Sequence, residues 1–173
     1  MEATKKYFHE VWPEEEAILK QGLEWSRQSK AERTKKKTMK RIGFACKYMH
    51  EDQTQKKKLL EEIQRPLNTR STTVAWLNRQ TKEVAEERLW DICKHNIQSY
   101  YNLIKYVGGL ENDLRMVRLG SDVLPVYTEP TWSYFWKLPD VRKYCERALA
   151  PVGGLARSLD VRLSMHPGQF TVL

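Results

Sequence analysis

The sequence predicts an α/β protein built from parallel βα units, preceded by a helical and basic extension. Three observations carry that expectation. Short apolar runs, "RIGFAC" (41–46), "LRMVRLG" (114–120) and "VRLSM" (161–165), read as strands. Two long stretches with helical apolar spacing separate them, and strands alternating with long helices pair in parallel, the helices serving as crossovers. A polar segment follows each strand: "KYMHEDQ", "SDVLPVYTEP" and "HPGQF". In such folds ligands and chemistry gather at the carboxyl ends of the strands, so these three loops should face one site.

The elements follow in order. Residues 13–34 open with proline and three acids and drift toward basic residues, the charge order a helix dipole favours. Ile18, Leu19, Leu23 and Trp25 supply a partial apolar stripe. "KKKTMK" (35–40) reads as a solvated basic linker, which separates an extension at 1–40 from a main unit at 41–173. After the first strand, residues 48–80 form a long polar insertion with at most one short helix around "KKKLLEEI".

Residues 81–107 are the clearest helix. Thr81 offers an N-cap, acids crowd the first turn, and apolar residues recur from Ala85 through Leu89, Ile92, Asn96/Ile97, Tyr100 and Ile104 to Val107. Gly108-Gly109 should close it as a C-cap. The loop after the second strand is crowded with aromatics. A second helix begins near Pro139 and buries Val141, Cys145, Ala148, Val152 and Leu155. Pro151 should kink it, and Gly153-Gly154 should weaken the next turn.

Length and composition bound the function. At 173 residues the chain can build one ordinary domain, and 40% hydrophobic with 30% charged residues suits a soluble globular protein with one polar segment. It has no apolar run of about 18 residues, and the amino terminus has no signal-peptide pattern. Cys46, Cys93 and Cys145 are odd in number and distant in sequence, which argues against a disulfide framework or zinc ribbon and for reduced thiols in a cytoplasm. The net charge of +8 favours a polyanionic partner. Residues 1–80 hold 18 Lys and Arg against 11 Asp and Glu, while residues 81–173 hold 12 against 11, so the excess lies in the first half.

The three loops carry the candidate chemistry. His166 directly follows the third strand, where an imidazole is either structural or a ligand. Pro167-Gly168 should turn the chain and present Gln169 and Phe170 outward, an aromatic to stack on a base and an amide to replace base hydrogen bonds. The alternative returns Phe170 to a core. Asp122 and Glu129 follow the second strand, and carboxylates with imidazole suit Mn²⁺, Zn²⁺ or Mg²⁺. Tyr127, Trp132, Tyr134, Phe135 and Trp136 either line a groove or cover the sheet end. "LNTRSTTVAWLNRQ" (67–80) mixes Arg70 and Arg79 with Asn68 and hydroxyl residues, which suits a phosphate backbone or an ordinary solvated loop.

Taken together, "RIGFAC", "NTRSTT", "RLGSDVLPVYTEP" and "RLSMHPGQF" resemble, in order and spacing, the UV-damage endonuclease family, above all the versions carried by large bacteriophages. The resemblance runs roughly from Arg41 to Leu173. It implies a TIM (β/α)8 barrel related to endonuclease IV that nicks double-stranded DNA 5′ of pyrimidine dimers and other lesions. The implied cofactor is a divalent metal cluster, commonly Mn²⁺. By this resemblance His166 is a metal ligand, Gln169 and Phe170 are the pair that probes the helix opposite the lesion, and Phe44 lies near the lesion pocket. Many members read Ser-His-Pro where this chain has Thr128-Glu129-Pro130, so Glu129 stands in for a histidine ligand. Tyr48 falls near a polar family position and receives no family role.

A TIM barrel needs eight strands and about 250 residues, and three are legible here. The expectation is therefore the first three βα units of an incomplete barrel, with an open edge and an uncovered apolar face. A second polypeptide is one source of the remaining strands. The chain alone should be marginally stable with little or no nuclease activity. Competing readings are a residual DNA-binding piece and a related abasic-site endonuclease or sugar-isomerase barrel.

Overall fold

The computed structural model describes residues 41–166. The helix expected over 13–34, the basic linker and the Gln169-Phe170 tip lie outside the described residues. Three strands, β1 (Phe44–Ala45), β2 (Met116–Gly120) and β3 (Arg162–His166), form one sheet in the order β1-β2-β3. Both pairings are parallel, with Phe44 opposite Val117 and Val117 opposite Leu163. Between β1 and β2 come α1 (Lys57–Gln64), a 3-10 turn (Arg65–Leu67), α2 (Val74–Leu77) and the long α3 (Lys82–Gly108). Another 3-10 turn (Asn112–Leu114) precedes β2; α4 (Tyr134–Lys137) and α5 (Pro139–Ser158) lead to β3.

The two long helices form where apolar spacing places them. The Thr81 hydroxyl accepts from the Val84 amide at 3.4 Å, capping α3, and Glu83 and Lys105 sit at the ends the dipole favours. Its buried stripe, from Ala85 and Leu89 to Ile104 and Val107, packs on the stripe of α5. Gly109 ends α3 with φ −81°, so no left-handed cap is used. Gly108 is needed for contact instead: a Cβ there would lie 2.5 Å from Leu159 Cδ1, at the far end of α5. Pro139 opens α5, where a missing N–H costs nothing. The helix continues past buried Pro151 and Gly153-Gly154 to Ser158.

Several expectations are corrected. β1 spans two residues rather than 41–46. At Gly43 a Cβ would lie 2.0 Å from the Met116 carbonyl oxygen, so the chains touch backbone to backbone before the ladder opens. At the other end Cys46 takes φ 64°, a left-handed turn that stops extension. β2 starts at Met116 because Leu114 belongs to the 3-10 turn. β3 includes His166 as its last residue, opposite Gly120, rather than ending before it. The 48–80 insertion holds more than one helix: Thr73 caps α2 by accepting from the Trp76 amide, and Leu77 is fully buried.

The aromatic loop mostly feeds the core. Phe135 is fully buried with its ring edge-on to Trp90 and Trp136 at 5.7 and 4.9 Å. Trp136 Nε1 donates to the Pro125 carbonyl at 2.9 Å, and Trp132 Nε1 to Asn78 Oδ1 at 2.8 Å. Tyr127 stays exposed. The core lies on the face of the sheet carrying Phe44, Val117 and Leu163. On the other face strand alternation puts Ala45, Arg118 and Ser164 in one row, flanked by Met116 opposite Arg162 and Gly120 opposite His166.

Cys93 of α3 and Cys145 of α5, distant in sequence, meet in the core with Sγ atoms 3.6 Å apart, and all three cysteines are free thiols. The bond to Cys145, together with burial, holds the Cys93 thiol far above its usual range, so it packs as a small neutral group.

Arg41 ties the amino ends of the strands. Its guanidinium donates to the Arg115 carbonyl before β2 and to the carbonyl and carboxylate of Asp160 before β3, the carboxylate contact at 2.7 Å. The Arg41 side chain is 12% exposed and Asp160 41%, so the pair is screened on one side only. Arg41→Ala is expected to lower stability by about 2 kcal/mol, below the cost of breaking a fully buried pair. Urea denaturation checks this, and a loss near zero would mean that the strand ends hold without it.

Candidate functional site

The loops at the carboxyl ends of β1 and β2 are drawn together by side chains of α3 and of the segment after α1. Asn68 grips the first loop in both directions. Its Oδ1 accepts from the Tyr48 amide at 2.7 Å, and its Nδ2 donates to the Tyr48 carbonyl at 2.9 Å. Tyr48 is thereby buried, its ring edge-on to Phe44 and Tyr106. Its hydroxyl lies 3.4 Å from His50 Nδ1.

Asn96 is the centre of the arrangement. It is fully buried in α3, accepts from the Arg70 amide at 2.7 Å and donates to the Arg70 carbonyl at 2.9 Å. The same Nδ2 reaches the carbonyls of Asp122 and Val123 at 3.1 and 3.2 Å. One amide thus joins the 70 loop to the loop after β2. Thr69 Oγ1 adds a 2.6 Å bond to Asp122 Oδ2. Tyr100 of α3 donates to the Gly120 carbonyl. Burial, and then the charge of Asp122, push its phenol well above the usual range, so it remains a donor.

These contacts hold Asp122 at the end of β2. A Cβ on Gly120 would lie 2.5 Å from Asp122 Oδ1, so the carboxylate folds back over Gly120. Gly120 is the register partner of His166, whose side chain is exposed. An acid and an imidazole therefore stand at adjacent strand ends. Glu129 is used differently: its Oε2 accepts from the Trp132 amide at 2.8 Å, and its carbonyl from the Ser133 amide. Desolvation pushes this carboxyl up, but bonds from Trp132 and Thr131 outweigh it and hold the group below its ordinary range. Among the described residues no three His, Cys, Asp or Glu side chains gather closely enough to hold a metal ion. The described residues alone therefore do not make up a metal centre.

The remaining candidates are distributed as follows. Phe44 is half-buried on the helix-facing side of the sheet, against the core. Asn68 spends its amide on the Tyr48 backbone, and Arg70 has its main chain fixed at both N and O by Asn96. Gln169 and Phe170 lie outside the described residues. The sequence reading missed Asn96, His95 and Tyr100 as organisers. One signal for Asn96 was present: an amide inside an otherwise apolar stripe must find buried partners.

His95 lies half-buried beside Asn96. Its Nε2 is 3.0 Å from the Asn68 carbonyl and 3.2 Å from Ser99 Oγ. Burial, followed by the charges of Arg70 and Arg65, outweighs its carbonyl bonds and lowers its pKa below the ordinary 6.5. In the unfolded chain the ring takes up a proton near 6.5, whereas the folded chain resists until lower pH. The associated stability is present at neutral pH and is lost as pH falls below about 6.5 toward the folded value. Chemical denaturation at pH 7 and pH 5.5 should show a drop in wild type that is smaller in His95→Gln. Equal drops would exclude His95 as the source.

Residues 40–173 match the family model described as UV-endonuclease UvdE. Over 104 residues the chain is 27% identical to a UV DNA damage endonuclease of Clostridium perfringens, covering 59% of this chain and 24% of that relative. Over 103 residues it is 28% identical to a UV DNA damage endonuclease of Bacillus velezensis, covering 60% of this chain and 30% of the relative. The chain thus spans less than a third of the length of these curated relatives.

Proposed function

The chain belongs to the UV-endonuclease UvdE family, and from that premise we propose that it serves a DNA-repair endonuclease acting on double-stranded DNA with UV lesions. The observation that carries this reading is the family match across residues 40–173, which includes every loop at the carboxyl ends of the three strands. In this reading the three strands and their helices are the first units of a TIM (β/α)8 barrel. The remaining units come from chain beyond Leu173 or from a second polypeptide. The substrate places the protein in the cytoplasm of a bacterial or phage-infected cell.

The proposed cofactor is a divalent metal, Mn²⁺ foremost, with Mg²⁺ and Zn²⁺ as alternatives. His166 and Glu129 are the ligands this chain contributes, and Asp122 is an added carboxylate at the adjacent strand end. Further ligands are required from outside the described residues, so no incision step is assigned to this set. The chain's own work is to hold DNA. Arg70 approaches the phosphate backbone from a main chain fixed by Asn96, while Asn68 acts through the loop it grips. Gln169 and Phe170 enter the base stack opposite the lesion, and Phe44 backs the lesion pocket.

The test is incision of an end-labelled duplex carrying one thymine dimer, with Mn²⁺, by this chain and by a version extended past Leu173. Nicking 5′ of the dimer by the extended protein alone is the expected result. Unaided nicking by the 173-residue chain would refute the need for outside ligands. A second reading, DNA binding without cleavage, is favoured by the lack of a three-ligand cluster among the described residues. Salt-sensitive binding with no incision by either version selects it.

A further inference from the structure

We propose that Cys93 and Cys145 are a modification site: a peroxide converts the two thiols into a disulfide that fastens α3 to α5, and a small dithiol reopens it. The inference rests on neither DNA nor a metal.

The geometry carries it. The two sulfurs lie 3.6 Å apart, one from each long crossover helix, although 52 residues separate them in sequence. A disulfide holds its sulfurs about 2.05 Å apart, so the gap to close is about 1.5 Å, within reach of a thiol turning about its Cα–Cβ bond. Both thiols are free. The ring of chain that their union closes contains β2 and the whole loop carrying Asp122 and Glu129.

The two thiols are not equivalent. Cys93 is fully buried, whereas Cys145 sits at the rim of the core with 8% of its surface exposed. A molecule as small as hydrogen peroxide therefore meets Cys145 first. The hydrogen bond from Cys93 favours the Cys145 thiolate and outweighs its desolvation, which holds this thiol below its usual range. The nucleophile thus lies at the rim, and the neutral Cys93 behind it keeps the proton that the second step needs.

In the first step the Cys145 thiolate attacks one peroxide oxygen. An S–O bond forms, the O–O bond breaks, and the released hydroxide takes up the proton Cys145 gave away, leaving a sulfenic acid and a water. In the second step the Cys93 sulfur attacks the Cys145 sulfur. The S–S bond forms, the S–O bond breaks, and hydroxide leaves with the Cys93 proton as a second water. The two thiols lose two electrons and two protons, and one peroxide becomes two waters.

The test treats the folded 173-residue chain with hydrogen peroxide at a dose that oxidises Cys46, the half-buried thiol just after β1. The chain is then unfolded, its remaining thiols are blocked with iodoacetamide, and the digest is mapped by mass spectrometry. The expected product joins the Cys93 and Cys145 peptides with the loss of two hydrogens, and dithiothreitol separates them. Cys46→Ser should give the same link, and Cys145→Ala should give none. Melting is the second readout. A link across a loop of this length should raise the midpoint by about 10 °C in wild type and Cys46→Ser. Peroxide should raise nothing in Cys145→Ala, whose own cooperative melt shows that it folds.

Cys93 and Cys145 both blocked and unlinked after that dose overturn the proposal. So does a link that forms equally well in the urea-unfolded chain, or one that leaves the midpoint unchanged or lower.

Discussion

Replacing Asn96 with leucine is expected to lower the unfolding free energy by about 4 kcal/mol at neutral pH. Leucine nearly preserves the volume, so the loss comes from polar groups rather than from a cavity. Four backbone groups would be stranded: the Arg70 amide and the carbonyls of Arg70, Asp122 and Val123. Each buried polar group left without a partner costs about 1–3 kcal/mol, and the costs overlap because the loops relax together. Urea denaturation gives the number. A loss below about 1 kcal/mol would mean that the Thr69 to Asp122 bond and the packing hold both loops without the amide. On the proposed endonuclease reading the variant should also weaken DNA binding, because it releases the backbone that presents Arg70 and the loop that carries Asp122.

The second large effect belongs to Phe135. Phe135→Ala should cost about 3–5 kcal/mol, the usual loss for deleting a fully buried aromatic whose surroundings collapse only in part. The ring sits edge-on to both Trp90 of α3 and Trp136, so its removal unseats α4 from the helix layer. Phe135→Leu should recover much of that loss. Tryptophan emission gives a local readout: a red shift in the alanine variant at low denaturant reports wetting around Trp90 and Trp136. Unchanged emission together with a loss under about 1 kcal/mol would show that α4 is held without the Phe135 ring, by contacts such as the Trp136 indole bond to Pro125.

The helical half of the fold was legible because its causes are local. The spacing from Ala85 to Val107, the Thr81 cap and the Pro139 start are properties of neighbouring residues, and the structure has them where the pattern puts them. Strand lengths were less legible because their limits come from remote contacts. Nothing near Gly43 in sequence announces that the Met116 carbonyl will press against it. The same holds at the site. "NTRSTT" marked the right segment, but Asn68 and Arg70 are organised by Tyr48 and Asn96, 20 and 26 residues away. At Glu129 the sequence shows the carboxylate but not that its Oε2 also caps its own turn at Trp132.

The Arg41 tie has a consequence for how the protein is made. Its partners lie 74 and 119 residues farther along the chain. On the ribosome, α3 can wind as soon as its own residues emerge, but the first strand must wait for Asp160 before its end is fastened. Of the three described strands the one synthesised first is therefore among the last to be fastened at its end, and until then it is open to other extended chains. A slowed or stalled nascent chain is most exposed to wrong pairing in that interval, with residues 41–46 as the vulnerable stretch.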